Sequence, residues 1–210
     1  MHPGSIHVLP CPGPLRASVV LLHGYASRAA VHLGEAEAFV SRHVEVVLPD
    51  APGHGVRDDG RLARIGALAE AERPAAIVAI AREWCGELPA LAAACRARGA
   101  HHVGLVGISM GGFAALGALA TPTAVDAVAA LLAAPLLADP ARLRRPLPPL
   151  LLGLAGRDQA VPPEPGRAFA RAHGAELHEY PASEHVMRGE DWRDLWARTA
   201  AFLQRHLAAG

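Results

Sequence analysis

The segment Gly107-Ile108-Ser109-Met110-Gly111 places a serine between two glycines, after a short apolar run and before a helical stretch. This Gly-x-Ser-x-Gly order predicts a sharp strand-to-helix turn that exposes the serine hydroxyl above a sheet. Small residues are required two positions either side, because a Cβ there would collide with the neighbouring strand or helix. A strained, exposed serine at a helix N-terminus is suited to nucleophilic attack on a carbonyl carbon. The alternative is a glycine-rich turn that holds an incidental serine.

A candidate acid and a candidate base follow later apolar runs. Asp158 comes directly after the run 150–155, and His185 follows the next run, 175–180. A histidine in this position can take the serine proton, while the carboxylate fixes the imidazole tautomer and stabilises the imidazolium. The chain has 12 histidines, but His185 is the one that follows the acid and ends the last strand-like run. Asp158 is also of a residue type that commonly caps turns, and Asp139 is a rival acid.

The early segment His23-Gly24-Tyr25 follows the first internal apolar run and precedes the serine. A glycine there lets the loop fold over the site and supply a backbone donor to a developing oxyanion. We expect the N–H groups of Tyr25 and Met110 to form this oxyanion hole, and His23 to order the loop and not to act as a base. The alternative is that His23 and Gly24 only end a strand.

Two kinds of segment alternate along the chain and would position these residues. The predicted strands, which are short, apolar and rich in β-branched residues, are 18–22, 44–48, 103–106, 127–132, 150–155 and 175–180. The predicted helices are 28–41, 74–98, 111–120, 164–173 and 191–207. Most of the strands lack polar alternation, which is typical of strands buried on both faces of a parallel sheet. We therefore predict a single α/β domain over residues 1–210 with a mainly parallel sheet flanked by helices.

The composition argues against several other classes of protein. The chain has 20 basic and 20 acidic residues and a formal net charge of zero, so we expect no nucleic-acid or membrane partner. Its three cysteines have no spacing that favours a disulfide framework or a metal site. The first residues lack the pattern of a signal peptide, and the apolar stretches are too short to span a bilayer. We expect a cytoplasmic protein with a small-molecule ligand.

Together, His23-Gly24, Gly107-x-Ser109-x-Gly111, Asp158 and His185 resemble the α/β-hydrolase superfamily, from about residue 15 to the C-terminus. The segment 48–57, Leu-Pro-Asp-Ala-Pro-Gly-His-Gly-Val-Arg, is similar to a stretch of small bacterial carboxylesterases near dienelactone hydrolase and the prolyl-oligopeptidase-like hydrolases. The resemblance implies the α/β-hydrolase fold and hydrolysis of short-chain carboxylic esters without a cofactor or metal. Dienelactone hydrolase has a cysteine nucleophile where this chain has Ser109, so its substrate is not implied. The segment around His54 and Arg57 is equally compatible with a structural loop.

Members of this superfamily often carry a helical cap, whereas here only residues 135–149 form a short, cap-like excursion. A minimal cap predicts a shallow, accessible pocket and short acyl chains. Candidate wall residues are Tyr25, Leu136, Leu137 and Met187, each of which is also compatible with the core.

The motifs predict a serine hydrolase that forms an acyl-enzyme on Ser109 with Asp158 and His185. Two alternatives stay open on the sequence. The same triad could serve a thioesterase, a peptidase or an acyltransferase. Alternatively, the chain could be a non-catalytic ligand-binding protein built on a hydrolase frame.

Overall fold

The computed structural model describes residues 5–143 and 145–207. The strands are β1 (Ile6–Leu9), β2 (Ala17–Leu22), β3 (Val44–Pro49), β4 (His102–Ile108), β5 (Ala127–Leu131), β6 (Leu150–Ala155) and β7 (Glu176–Tyr180). The α-helices are α1 (Leu33–Ala36), α2 (Arg61–Gly66), α3 (Arg73–Ala97), α4 (Met110–Gly117), α5 (Glu164–His173) and α6 (Gly189–Leu207). Helices connect most of the strands, and the sheet is mainly parallel, so the predicted α/β architecture is confirmed.

The seven strands form one sheet in the order β1-β3-β2-β4-β5-β6-β7. Strands β2 to β7 are parallel, and β1 pairs antiparallel with β3 at the edge. The sequence pattern does not predict β1, because it is a four-residue edge strand in which a histidine, His7, separates the two β-branched residues, Ile6 and Val8. Its order depends on the partner strand, where Ile6 lies opposite Pro49.

Both faces of the sheet are covered, as the uninterrupted apolar runs predict. In β2, Val20 and Leu22 pack into the core beneath α3 and α4, while Val19 and Leu21 pack into the core beneath α6. This alternation is the period of two that a pleated strand imposes on its side chains.

The strand register places the candidate chemistry at one edge of the sheet. Leu22 at the end of β2 lies opposite Gly107 in β4, and Ile108 lies opposite Leu131 at the end of β5. In parallel sheets the carboxyl ends of the strands share one edge, which is where such folds bind ligands. The loops after β2, β4, β5, β6 and β7 therefore meet around Ser109.

The segment predicted as one helix, residues 28–41, is helical over residues 29–39 but is not one regular helix. That segment is two 3-10 turns, Ala29–His32 and Glu37–Phe39, on either side of the four-residue α1. Tertiary contacts override the helical pattern, because Glu35 accepts the Trp192 indole N–H at its carboxylate and the Trp196 indole N–H at its backbone carbonyl, both at 2.7 Å. These bonds fasten the segment to α6.

The excursion before β6 has no helix or strand over residues 135–143 and 145–149. The helix α2 was not predicted, because its six residues are too few to show helical periodicity. No helix of the described chain is long and apolar enough to cross a membrane.

Candidate active site

Ser109 lies in the sharp turn between β4 and α4. Its backbone adopts φ 52° and ψ −113°, a region that non-glycine residues rarely occupy, and its N–H donates to the Leu131 carbonyl at 2.8 Å. A Cβ at Gly107 would stand 2.3 Å from the Gly111 carbonyl oxygen, and a Cβ at Gly111 would stand 2.3 Å from the Leu22 carbonyl oxygen. The turn therefore requires residues without a Cβ at positions 107 and 111.

Three side chains from three loops form one hydrogen-bonded chain. Ser109 Oγ lies 2.9 Å from His185 Nε2, and His185 Nδ1 lies 2.7 Å from Asp158 Oδ2. The other carboxylate oxygen of Asp158 accepts the N–H groups of Ala160 and Val161 at 3.0 and 2.8 Å. Asp158 is 6% exposed, so its orientation is fixed by these bonds and by burial. The structure thus brings together the three residues that chain order predicts.

The two loops that carry the acid and the base are also bonded to each other. Gly156 N–H donates to the Tyr180 carbonyl at 2.8 Å, and Arg157 N–H donates to the Ser183 carbonyl at 2.9 Å. A Cβ at Gly156 would stand 2.6 Å from the Pro181 Cα, so this close approach requires glycine. The backbone contacts hold the imidazole and the carboxylate in register.

The loop after β2 lies beside the candidate nucleophile. A Cβ at Gly24 would stand 3.7 Å from the Ser109 Cβ, and both Gly24 and Tyr25 line the same cleft as Ser109. Met110 is the first residue of α4, where backbone N–H groups have no partner within the helix. These positions suit the predicted oxyanion donors.

His23 lies below this loop and takes no part in the Ser109 chain. Its Nδ1 donates to the Gly24 carbonyl at 2.8 Å, and its Nε2 accepts the Ala51 N–H at 3.0 Å. Burial lowers the pKa of His23 to about 4, so the ring is neutral at neutral pH. The contacts are those of a loop-ordering residue.

A cleft of about 1330 Å³ opens above Ser109 and His185. Of the predicted walls, Tyr25, Leu136 and Met187 line it. Leu137 lies elsewhere: it packs against α4, and a Cβ at Gly117 would stand 2.8 Å from its Cβ. Apolar lining residues that the sequence did not single out include Ile77, Val78, Phe113, Leu132 and Trp192.

The cleft is open, and its volume is larger than that of most small-molecule sites. Its additional wall comes from the start of α3, where Arg73, Pro74, Ile77 and Val78 line it, together with Glu70 just before the helix. The segment before and within α3 therefore supplies what the minimal cap does not.

Backbone strain within the described residues is concentrated at this cleft. The non-glycine residues with positive φ are Ala26 (57°), Ser109 (52°) and Leu132 (54°). Ser109 and Leu132 line the cleft, and Ala26 lies between two residues that do. Such strain persists only where surrounding contacts hold it, and it is typical of functional sites.

Over the part of the chain that the structure describes, no three metal-ligating side chains are grouped in a way that would hold a metal ion.

The sequence matches the model of the alpha/beta hydrolase family over residues 19–208. The chain therefore belongs to this family, as the motifs predict. The narrower likeness to dienelactone hydrolase and the prolyl-oligopeptidase-like hydrolases stays a prediction. A search of curated protein sequences finds no match.

Solved structures with this fold include several esterases. Esterase PE8 is 26% identical, with a TM-score of 0.73 over 97% of this chain and 99% of that one. Esterase 2 of Thermogutta terrifontis, phosphorylated by paraoxon, is 16% identical, with a TM-score of 0.70 over 95% and 88%. Acyl-protein thioesterase 2 of Zea mays is 18% identical, with a TM-score of 0.62 over 95% and 99%. The chain is thus an esterase-like hydrolase in family and fold.

Proposed function

We propose that the protein hydrolyses carboxylic esters through an acyl-enzyme on Ser109. The observation that carries this proposal is the continuous chain from Ser109 Oγ to His185 to the buried Asp158 carboxylate, at 2.9 and 2.7 Å. It is supported by membership of the alpha/beta hydrolase family and by the likeness to esterase PE8.

The hydrogen-bond partners determine how the proton moves. An ionised carboxylate only accepts hydrogen bonds, so the Nδ1 of His185 carries the ring proton and the Nε2 lone pair faces Ser109. As Oγ attacks the ester carbonyl, its proton passes to Nε2, and Asp158 stabilises the imidazolium. The imidazolium then protonates the leaving alkoxide, which departs as the alcohol. Water repeats the two transfers and releases the acid.

The negative charge that develops on the carbonyl oxygen needs donors that are already in place. We assign this role to the N–H groups of Tyr25, in the loop beside Ser109, and of Met110, the first residue of α4. One such donor lowers the activation free energy by about 3–4 kcal/mol when it is aimed at the oxyanion of the transition state.

The cleft defines the class of ester. Its lining is mainly apolar, which suits uncharged acyl and alcohol groups. The minimal cap predicts short acyl chains, whereas the volume of about 1330 Å³ leaves room for longer ones. We therefore extend the proposed range from short to medium-length acyl chains. Initial rates on p-nitrophenyl acetate, butyrate, octanoate and laurate test it, and a monotonic loss beyond butyrate would restrict the range to short chains.

The Ser109→Ala variant is the test of the mechanism. It should fold with the wild-type melting temperature and lose both ester hydrolysis and covalent labelling by a fluorophosphonate. Mass spectrometry of the labelled wild type should place the adduct on Ser109. Turnover retained by the variant would contradict the proposal, and folded wild-type protein that resists the label would favour the ligand-binding alternative.

A further inference from the structure

The segment 50–57 lies against the loop after β2 and holds two of its backbone N–H groups. His54 Nε2 accepts the Ala26 N–H at 3.2 Å, and Asp50 Oδ1 accepts the Ala29 N–H at 2.8 Å. Both acceptor side chains are almost completely buried, with His54 0% exposed. We call residues 24–29 the oxyanion loop, because they include Gly24 and Tyr25 beside Ser109.

The protonation state of His54 follows from its partners. Its Nδ1 lies 2.9 Å from the Pro52 carbonyl oxygen, which can only accept, so Nδ1 carries the proton and Nε2 is the acceptor. Burial lowers the pKa of His54, which favours this neutral form. A protonated ring would present a donor to the Ala26 N–H and would release it.

The residue that His54 holds is a strained one. Ala26 has φ 57°, a left-handed conformation that costs a non-glycine residue about 1 kcal/mol or more. Its two chain neighbours, Tyr25 and Ser27, line the cleft. The Tyr25 ring also packs edge-on against the His54 ring, with centroids 5.8 Å apart. Loss of the bond to His54 would therefore relax the backbone next to the proposed donor.

The segment 50–57 is itself anchored, so it can act as a rigid support. Arg57 donates to the Asp50 carbonyl at 3.0 Å and forms two bonds, of 2.8 and 2.6 Å, to Glu87 in α3. Gly55 has φ 54°, and a Cβ there would stand 2.2 Å from the Asp50 carboxylate. These contacts hold Asp50 and His54 in place next to the oxyanion loop.

We propose that His54 is a positioning residue for ester hydrolysis: as a neutral hydrogen-bond acceptor it fixes the strained Ala26 and thereby aims the Tyr25 N–H at the oxyanion. This inference rests on the proposed function. His54 does not line the cleft, so it acts through the oxyanion loop and not on the substrate.

Two variants of similar size separate the acceptor from the packing. In His54→Gln, the longer side chain places an amide oxygen near the Nε2 position and retains an acceptor for Ala26. In His54→Asn, the shorter side chain retains a donor near the Nδ1 position, toward Pro52, and loses the acceptor. With p-nitrophenyl acetate we expect His54→Asn to lower kcat about 10- to 100-fold and to leave KM within about twofold of wild type. This loss is smaller than the loss of kcat caused by removing an oxyanion donor itself, because the Tyr25 N–H is displaced and not deleted. The His54→Gln variant should stay within about fivefold of wild type.

His43→Asn is the matched control. This histidine lies just before β3, at the amino ends of the strands and so at the opposite end of the sheet from Ser109. It donates to the Pro14 carbonyl. It should leave kcat unchanged. If both His54 variants lost kcat equally, and their melting temperatures fell equally, His54 would have only a packing role. That result would overturn the proposal.

Amide hydrogen exchange provides a readout that does not depend on turnover. Exchange across residues 24–29 should accelerate in His54→Asn and stay near the wild-type rate in His54→Gln. Unchanged exchange in His54→Asn would overturn the positioning role even in an active enzyme. Failure of the proposed function appears differently, as a folded wild type with no hydrolysis and no fluorophosphonate label.

Discussion

The two nitrogens of the His185 ring have different tasks, and the Asp158 carboxylate decides which of them carries the proton. Nδ1 donates to Asp158 Oδ2, so that Nε2 is free to accept from Ser109. The second oxygen of Asp158 is occupied by the Ala160 and Val161 N–H groups, which prevents the carboxylate from turning. Orientation at this site is therefore set by hydrogen bonds that reach beyond the three reacting side chains.

The Asp158→Asn variant should reverse the tautomer of His185 with little change in shape. Asparagine can keep its carbonyl oxygen on the Ala160 and Val161 N–H groups, and its NH₂ then donates to Nδ1. Nε2 would carry the proton and could not accept from Ser109. We expect kcat for p-nitrophenyl acetate to fall about 10³- to 10⁴-fold.

Asp139→Asn is the control for this change. Asp139 is exposed in the excursion before β6 and accepts the Ala141 N–H, so its variant should keep wild-type kcat. A larger loss in Asp139→Asn than in Asp158→Asn would assign the acid to Asp139.

His23 links stability to pH. Burial lowers its pKa to about 4, whereas a histidine in an unfolded chain titrates near 6.5. Between these values the unfolded chain binds a proton that the folded protein does not, so the free energy of unfolding falls as pH drops from about 6.5 to about 4. This group alone accounts for a loss on the order of 3 kcal/mol at the acid end and for none above about pH 6.5.

Urea unfolding at a series of pH values measures this slope. The His23→Gln variant has no titrating ring at that position, so its free energy of unfolding should depend less steeply on pH in this window. The same slope in both proteins would show that His23 does not cause the dependence.

At the scale of the elements, the sequence predicts the central strands and the later helices well. Their apolar runs are buried on both faces, so burial and pattern agree, and α5 begins and ends where periodicity places it. Where sequence reasoning failed, two of the three cases depend on partners: β1 on its pairing with β3, and the irregular form of the segment 29–39 on its contacts with α6 and Asp50. Such contacts join residues far apart in the chain, and local periodicity cannot reveal them.

The turn at Ser109 can be tested through its glycines. In Gly111→Ala, the added Cβ would stand 2.3 Å from the Leu22 carbonyl oxygen, so β2 and α4 must separate. We expect a loss of at least about 2 kcal/mol in the free energy of unfolding, together with loss of ester hydrolysis.

Gly86→Ala is the opposite case within a helix. Gly86 is exposed in α3 and no atom lies within 4 Å of its would-be Cβ, so helix propensity alone should stabilise the protein by about 1 kcal/mol. Thermal or urea unfolding of both variants measures the contrast. A Gly111→Ala variant as stable as wild type would contradict the close packing at this turn.

At the scale of the whole molecule, the cleft is the feature that the sequence predicted least well. Ser109, Asp158 and His185 are indicated by their order and their places after strands. By contrast, the walls formed by Ile77, Val78 and Phe113 come from helices, where apolar residues at helical spacing indicate core packing equally well. Only the assembled fold shows which of these side chains face the cleft.

Val78→Trp should narrow the cleft from its α3 side. We expect kcat/KM for p-nitrophenyl octanoate to fall about tenfold relative to the acetate, because the longer acyl chain needs the volume that the indole fills. Ala79→Trp, at the exposed neighbouring position outside the cleft, should leave the ratio unchanged. Equal ratios in the two variants would show that acyl chains do not extend toward α3.

The Trp192 indole, which donates to Glu35 at the wall of the cleft, can serve as a fluorescent reporter of ligand binding. The chain has three tryptophans, of which Trp192 lines the cleft, while Trp84 is buried against His23. A ligand that displaces water from the Trp192 indole should alter its emission and leave that of the buried Trp84 largely unchanged. Intrinsic fluorescence can therefore report occupancy by unreactive ester analogues in the unlabelled Ser109→Ala protein, before any product is formed.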